Sequence, residues 1–339
     1  MAKRKKRSTN NSSKILTYIA WMLALVALLL SALVAGYYFG YKEAKAEVAK
    51  KERLEKQKKV MMLQKLEQTR AHNETLKEKD DVNDRLKEVL KKESKYQIDA
   101  SHEFDDPTLD RPAERAESEI QVVPSKPKLA IIIDDVSVRS QVNAVKSLGL
   151  HLTMSFLPPS AIHPNSAVLA SHEKRYMVHL PLEALHFSSA EPHTLKVSDS
   201  EEVIAARIAE LKKLFPKVQY INNHTGSKFT SDEAAMNKLI YALKSQNIYF
   251  IDSRTTAETQ APKVMKSFGL KYVARDVFLD HDMEKEEVIK QIKRAIALSK
   301  KYGSAIAIGH PHVNTIMALN ESKKLFKDVD LVYINQLNE

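Results

Sequence analysis

From Lys128 onward, short apolar runs alternate with amphipathic stretches of about 10–18 residues, and this rhythm constrains the fold more than any other feature. The runs are "KLAIIID", "LTMSFLP", "RYMVHLP", "VQYINN", "IYFIDS", "KYVARDVF" and "SAIAIGH", with a final "LVYI" as an eighth. Helical patterns lie between them over Val138–Ser147, Pro164–Lys174, Ser200–Phe215, Asp232–Ser245, Thr259–Phe268, Glu284–Tyr302 and Asn314–Phe326. Strand–helix alternation implies a parallel sheet covered by helices. A closed (β/α) barrel of seven or eight strands fits the count, and a doubly wound open sheet is the alternative. Neither G-x-G-x-x-G nor G-x-x-x-x-G-K-[ST] follows any run, so a dinucleotide or P-loop site has no support.

The residues before Lys128 read differently. No glycine lies between Gly40 and Gly149, which suits a long helix and a linker better than a globular region. Ile15–Tyr41 carries no charge and exceeds the ~20 residues a bilayer span needs. Trp21, Tyr37, Tyr38 and Tyr41 lie toward its ends, as interfacial aromatics do. The run is too long for the h-region of a cleaved signal peptide, ~7–15 residues, although Ala44–Ala46 offers small residues for cleavage. The sequence thus predicts a basic cytoplasmic tail over 1–14 and a transmembrane anchor over 15–41. A helical stalk over 42–95 follows, and a Pro- and charge-rich linker over 96–127. Leu54, Met61, Met62, Leu66, Leu76, Leu86 and Leu90 give the stalk a broken apolar seam, compatible with a solvated helix or a weak homodimeric coiled coil. The basic tail favours N-in, C-out in the inner membrane of a bacterium, with 128–339 in the periplasm or outside. Eight Lys/Arg between Lys42 and Lys59 leave that orientation open.

The net charge of +10 is not a nucleic-acid signal. Six of the excess positive charges belong to residues 1–14 and are not a stripe on a folded face. Without cysteine, neither disulfides nor thiolate metal sites are available.

Strand ends carry the chemistry. The first run ends in Asp134–Asp135, the third in His179 with Glu183 four residues on, the fourth in Asn222, Asn223 and His224. The fifth ends in Asp252 and Ser253, the sixth in Arg275 and Asp276, the seventh in His310 and His312. In a parallel barrel these ends share one rim. Each alone has a bland reading, as helix cap, turn or packed ring. Together they predict a catalytic or metal rim. Histidines and carboxylates without thiolates suit zinc or another divalent metal, with an Asp–His–His set leaving a position for water. A serine nucleophile lacks its context, because no G-x-S-x-G is present and Ser227 sits in "HTGSKF".

"IIIDD", "HLPLE", "NNHTGSKFT", "FIDSRTT", "ARDVFLD" and "AIGHPH", in this order, resemble the divergent polysaccharide deacetylase family, a remote branch of the NodB-like carbohydrate esterases. The resemblance covers about Lys128 to the C-terminus. It implies a distorted (β/α) barrel and metal-dependent removal of N-acetyl groups from an amino-sugar polymer such as peptidoglycan. It also implies Asp134 as base, Asp135 and His179 as metal ligands, and His310 as acid, with His312 a rival. Glu183 stands where relatives carry a second ligand histidine, so His224 is the expected replacement. Asp252 is expected to orient His310 or hold substrate. Asn222, Asn223, Glu183, Ser227, Arg275 and His312 are expected to line the glycan site, with Gly226 letting the backbone close over it. The departures from the family pattern keep a second function open: a catalytically degenerate glycan-binding or scaffold protein of the envelope.

Overall fold

The computed structural model describes residues 126–186 and 190–337, together with Trp21 and Met22, which are helical. The tail, the stalk, nearly all of the anchor and of the linker, and hence the coiled coil and homodimer expected of the stalk, lie outside the described residues. Among the described residues, no helix is long and apolar enough to cross a membrane.

Eight parallel strands form the sheet: β1 (Lys128–Val136), β2 (Leu152–Phe156), β3 (Met177–Leu182), β4 (Tyr220–Thr225), β5 (Tyr249–Ile251), β6 (Val277–Phe278), β7 (Ser304–Gly309) and β8 (Asp330–Val332). Their order is β5-β4-β3-β2-β1-β7-β6, with β8 paired to the first residues of β1. Helices connect them: α1 (Arg139–Ser147), α2 (Ser166–Ser171), α3 (Glu201–Leu214), α4 (Ser227–Ser231), α5 (Glu233–Ser245), α6 (Ala261–Ser267), α7 (Lys285–Tyr302) and α8 (Val313–Glu321). Charges assist the longer helices at both ends. α3 has Ser200 accepting from the Val203 amide, Glu201 and Glu202 in its first turn, and Lys212 and Lys213 in its last.

Alternation along each strand sorts the side chains into two cores. Leu129, Ile131 and Ile133 of β1 join the large apolar cluster beneath the helices. Ala130 and Ile132 face the other way, into a smaller cluster with Met177, Ile251, Phe278, Ile306, Ile308 and Ile334. That second cluster is the interior of the curled sheet. Strands buried on both faces need apolar residues at every position, which is why "LAIII" is unbroken. The 3-10 turn Ile334–Gln336 meets the interior near the start of β1. The Ile334 amide donates to Thr153 Oγ1 at 3.0 Å, and Lys128 Nζ donates to the Gln336 carbonyl at 2.9 Å.

The two edges of the sheet, β5 and the segment leading into β6, meet irregularly. Instead of a full ladder, Val273–Asp276 bridges the gap. Asp252 N donates to the Val273 carbonyl, Arg275 N to the Asp252 carbonyl, and Asp276 N to the Ile306 carbonyl. Two residues expected at the substrate are used up at this seam. The buried Arg275 guanidinium donates to the carbonyls of Ser253 (2.7 Å) and Arg254 (2.9 Å). The Asp252 carboxylate accepts from the Arg254 amide, Thr259 Oγ1 and Tyr272 Oη. A distorted barrel is the architecture, and its distortion is located here.

Candidate metal centre

The same alternation that fills the interior with Ala130 and Ile132 turns Asp134 inward at the end of β1. On β3 it turns in His179 after Met177, and on β7 His310 after Ile306 and Ile308. On β4 it turns in Asn222 and His224. The interior therefore changes from apolar to polar along the strands, and the polar layer lies at their C-terminal ends. Asp135 would face outward by this rule. A register irregularity between Ile133 and Val136 and a left-handed backbone at Asp135 (φ 56°) bring it back to the site.

Three side chains then converge. Asp135 Oδ1 lies 3.0 Å from His224 Nδ1 and 3.4 Å from His179 Nε2. The rings of His179 and His224 meet edge to face, with centroids 5.0 Å apart. A tetrahedral zinc with bonds of about 2.05 Å has ligand–ligand edges of about 3.3 Å, so the spacing fits. More telling, Asp135 Oδ1 and His224 Nδ1 are buried without a hydrogen bond, despite their closeness. Buried polar atoms left unsatisfied are costly, and a cation shared by the three side chains would satisfy them. Oxygen and imidazole nitrogen donors without sulfur suit a divalent metal of the zinc kind.

Electrostatics divide the labour around this triad. Burial pushes the Asp134 carboxyl up to about 7, against the downward pull of His310. Asp135 feels the same desolvation, yet the charge of His224 overrides it and holds its carboxyl far below the usual range. Burial lowers His179 to about 3, leaving a neutral imidazole able to ligate. His310 is the reverse. Its desolvation is outweighed by Asp280, which raises it to about 10.

Asp134 and His310 are each held by particular partners. Asn222 Nδ2 donates to Asp134 Oδ2 at 2.7 Å and to Ser253 Oγ at 3.0 Å, while its Oδ1 accepts from Ser155 Oγ at 2.6 Å. Asp134 Oδ1 is left buried without a partner. Asp280 Oδ1 is 3.1 Å from His310 Nδ1, and its Oδ2 accepts from the His310 amide and Thr315 Oγ1. His310 Nε2 thereby faces Asp135 Oδ2 at 4.0 Å.

The orienting role expected of Asp252 therefore falls to Asp280, which the sequence reading passed over. The signal was present: the sixth run continues past Arg275 and Asp276, so the acid at its end is the Asp280 of "VFLD". Asp280, His310 and His312 form a second grouping of metal-ligand type. The Asp280 oxygens are already engaged by hydrogen-bond donors, and His312 precedes α8 with its ring 5.6 Å from that of His310.

The expected substrate contacts of the fourth strand have other partners. Asn222 and Asn223 are both fully buried. Asn223 is on the outward face of β4, where Nδ2 donates to the Thr225 carbonyl and Oδ1 accepts from the Ser253 amide. Glu183 accepts from Lys228 Nζ and from the Val197 amide, and Ser227 Oγ accepts from the Leu185 amide. These pairs fasten α4 and the loop after β3 to one another.

The family model of divergent polysaccharide deacetylases matches residues 131–338. The chain is 36% identical over 214 residues to the uncharacterized protein YibQ of Escherichia coli, covering 62% of this chain and 67% of that one. It is 33% identical to an uncharacterized protein of Haemophilus influenzae, with 62% and 76% covered. Among solved structures, an uncharacterized protein of Agrobacterium tumefaciens matches with a TM-score of 0.52 at 16% identity, over 68% of this chain and 93% of that one. At that identity the likeness is one of fold.

Proposed function

The chain belongs to the divergent polysaccharide deacetylase family, and from that premise we propose that it hydrolyses N-acetyl groups of an amino-sugar polysaccharide such as peptidoglycan, at a metal held by Asp135, His179 and His224. The observation that carries this reading is the meeting of Asp135 Oδ1, His179 Nε2 and His224 Nδ1. A divalent metal there, zinc by its donor set, would supply Lewis acidity, which lowers the pKa of water from 15.7 toward about 7 and polarises an acyl oxygen.

The protein's own groups do the rest. Asp134 Oδ1, free of partners and raised to about 7, takes the proton of the attacking water. Asn222 keeps that carboxylate turned by occupying its other oxygen. His310, kept protonated by Asp280, delivers a proton from Nε2 to the amine nitrogen as the C–N bond breaks. The products are acetate and a free amino sugar.

The uncharged run 15–41 would tether the enzyme to the inner membrane with its barrel in the periplasm or outside. The 42–95 stalk would reach toward the wall, singly or as a dimer.

The test is acetate release by the purified, zinc-loaded full-length protein from N-acetylated amino-sugar polymers, peptidoglycan included. Release should fall at least ~100-fold in Asp134→Asn. A protein that binds zinc and glycan but frees no acetate would refute hydrolysis and support the degenerate glycan-binding reading.

A further inference from the structure

The rim holds a second trio of metal-ligand side chains beside the first. β6 and β7 pair with Phe278 opposite Ile308, and the Leu279 amide donates to the Ile308 carbonyl at 2.7 Å. Continued by two residues, that register brings Asp280 opposite His310. Pro311 separates His310 from His312, and two residues along an extended backbone return a side chain to the same face. Asp280 and His310 are buried. His312 is half-buried at the position that opens α8, where its side chain does not cap the helix. One ligand atom from each of the three lies within 4.8 Å of the other two. The rings of His310 and His312 have centroids 5.6 Å apart.

The spacing repeats that of the first triad. Asp280 Oδ1 lies 3.1 Å from His310 Nδ1, as Asp135 Oδ1 lies 3.0 Å from His224 Nδ1. Both are close to the edge of about 3.3 Å that a tetrahedral zinc site requires. Asp280 Oδ2 accepts from the His310 amide at 2.6 Å and from Thr315 Oγ1 at 2.7 Å. The carboxylate is thus held as ligand carboxylates are, with outer donors on one oxygen and the other turned to the ring. Orienting the acid accounts for Asp280 and His310. It gives no reason for His312 to stand beside them.

We propose that Asp280, His310 and His312 form a second, weaker site for a zinc-type divalent cation, and that filling it silences the acid. Asp280 Oδ1, His310 Nδ1 and a ring nitrogen of His312 hold the cation in place of the proton between Asp280 and His310. The Nδ1–H bond breaks and its proton leaves to solvent as the Nδ1–metal bond forms. His310 is then a neutral imidazole, whose remaining Nε2–H is a far weaker acid than that of an imidazolium. The site is the weaker of the two because a proton must be displaced. Two cations on one rim also repel, and His310 Nε2 is only 4.0 Å from Asp135 Oδ2. The silencing rests on the metal centre and the acid proposed above, and it makes excess metal an inhibitor.

The test is zinc uptake by the metal-free, full-length protein, followed by equilibrium dialysis as free zinc is raised to ~1,000 times the Kd of the first site. Acetate release is measured on the same samples. The parent should take up a second equivalent after the first, and its acetate release should fall as the second enters. His312→Gln should keep the first equivalent and raise the Kd of the second at least ~10-fold, since loss of an outer partner alone typically costs that much. Asp135→Ala should lose the first equivalent and keep the second. A parent that stops at one equivalent overturns the proposal. So does a second equivalent whose Kd His312→Gln leaves within twofold, which places that cation elsewhere. A second equivalent bound with undiminished acetate release overturns the silencing. Should His312→Gln fail to fold, Asp280→Asn decides by the same twofold criterion. An equivalent lost in His312→Gln, with none lost in Asp135→Ala, would refute the first centre and support the second. A parent that fills both sites yet frees no acetate at any zinc level refutes the hydrolase reading and leaves the second site supported.

Discussion

Replacing Gly226 by alanine should damage this protein more than any other glycine-to-alanine change in the described domain, and the structure sets the size. Gly226 lies two residues after His224, at φ 98°, and opens α4. An added Cβ would stand 2.8 Å from Leu182 Cβ, 3.5 Å from Leu182 Cδ1 and 3.6 Å from Asn223 Cβ. The nearest of these is rooted on the β3 backbone and cannot rotate away, so β3 and β4 must shift where Leu182 pairs with Thr225. A left-handed backbone costs an L-residue about 1–2 kcal/mol. Overpacking a tight site adds about 1–3 kcal/mol. The sum is about 2–5 kcal/mol, against the 5–15 kcal/mol that holds a typical domain folded. Gly149 provides the control, because its φ is 64° and nothing lies within 4 Å of its added Cβ. Gly149→Ala should show the backbone cost alone, about 1–2 kcal/mol. Urea unfolding of the metal-free proteins at neutral pH measures both. Gly226→Ala should exceed Gly149→Ala by about 1–3 kcal/mol, or roughly 2–12 °C in melting temperature for a domain of this size. Equal destabilisation by the two would refute the close-approach argument.

Asp280→Asn should change how stability depends on pH. His310 is raised from 6.5 to about 10 in the folded protein, so its contribution is complete below about pH 6.5 and is lost as pH rises through 10. Asp134 titrates near 7 and His224 is also raised above its ordinary value, so the difference between parent and variant, not the parent curve alone, isolates His310. Thermal melts of the metal-free protein between about pH 7.5 and 10 should fall steeply for the parent and less so for Asp280→Asn; parallel curves would show that Asp280 does not hold the proton. Asn222→Ala strips Asp134 Oδ2 of its donor and leaves Ser155 and Ser253 without their shared partner. It should cost about 1–3 kcal/mol in urea unfolding. It should also move the lower limb of the pH–acetate-release profile upward, since the lost hydrogen bond had favoured the carboxylate.

What could be read in the sequence followed from burial. Strands covered on both faces must be apolar throughout, so each ends close to where its run ends. β6 differs at its start, because the pairing around Val273–Asp276 is irregular and only Val277–Phe278 form a regular ladder. That displacement made Asp276 seem a strand end and hid Asp280. The five-residue α4 is too short to have a period, and no helical pattern marks it in the sequence. Within the site, Asp134, His179, His224 and His310 obey simple alternation from the apolar interior. The same rule, applied strictly, would have sent Asn223 outward and warned against giving it a ligand. Asp135 breaks alternation through a backbone irregularity that composition does not encode; the strand-end reading placed it at the rim, and only the family resemblance made it a ligand.

The central claim is that Asp135, His179 and His224 hold one divalent cation. Elemental analysis of the full-length protein, purified without chelators and then offered zinc, tests it most directly. The account predicts one tightly held equivalent per chain, lost in Asp135→Ala and in His224→Ala while the variants remain folded. A folded parent that retains no metal, or variants that retain as much as the parent, would contradict it.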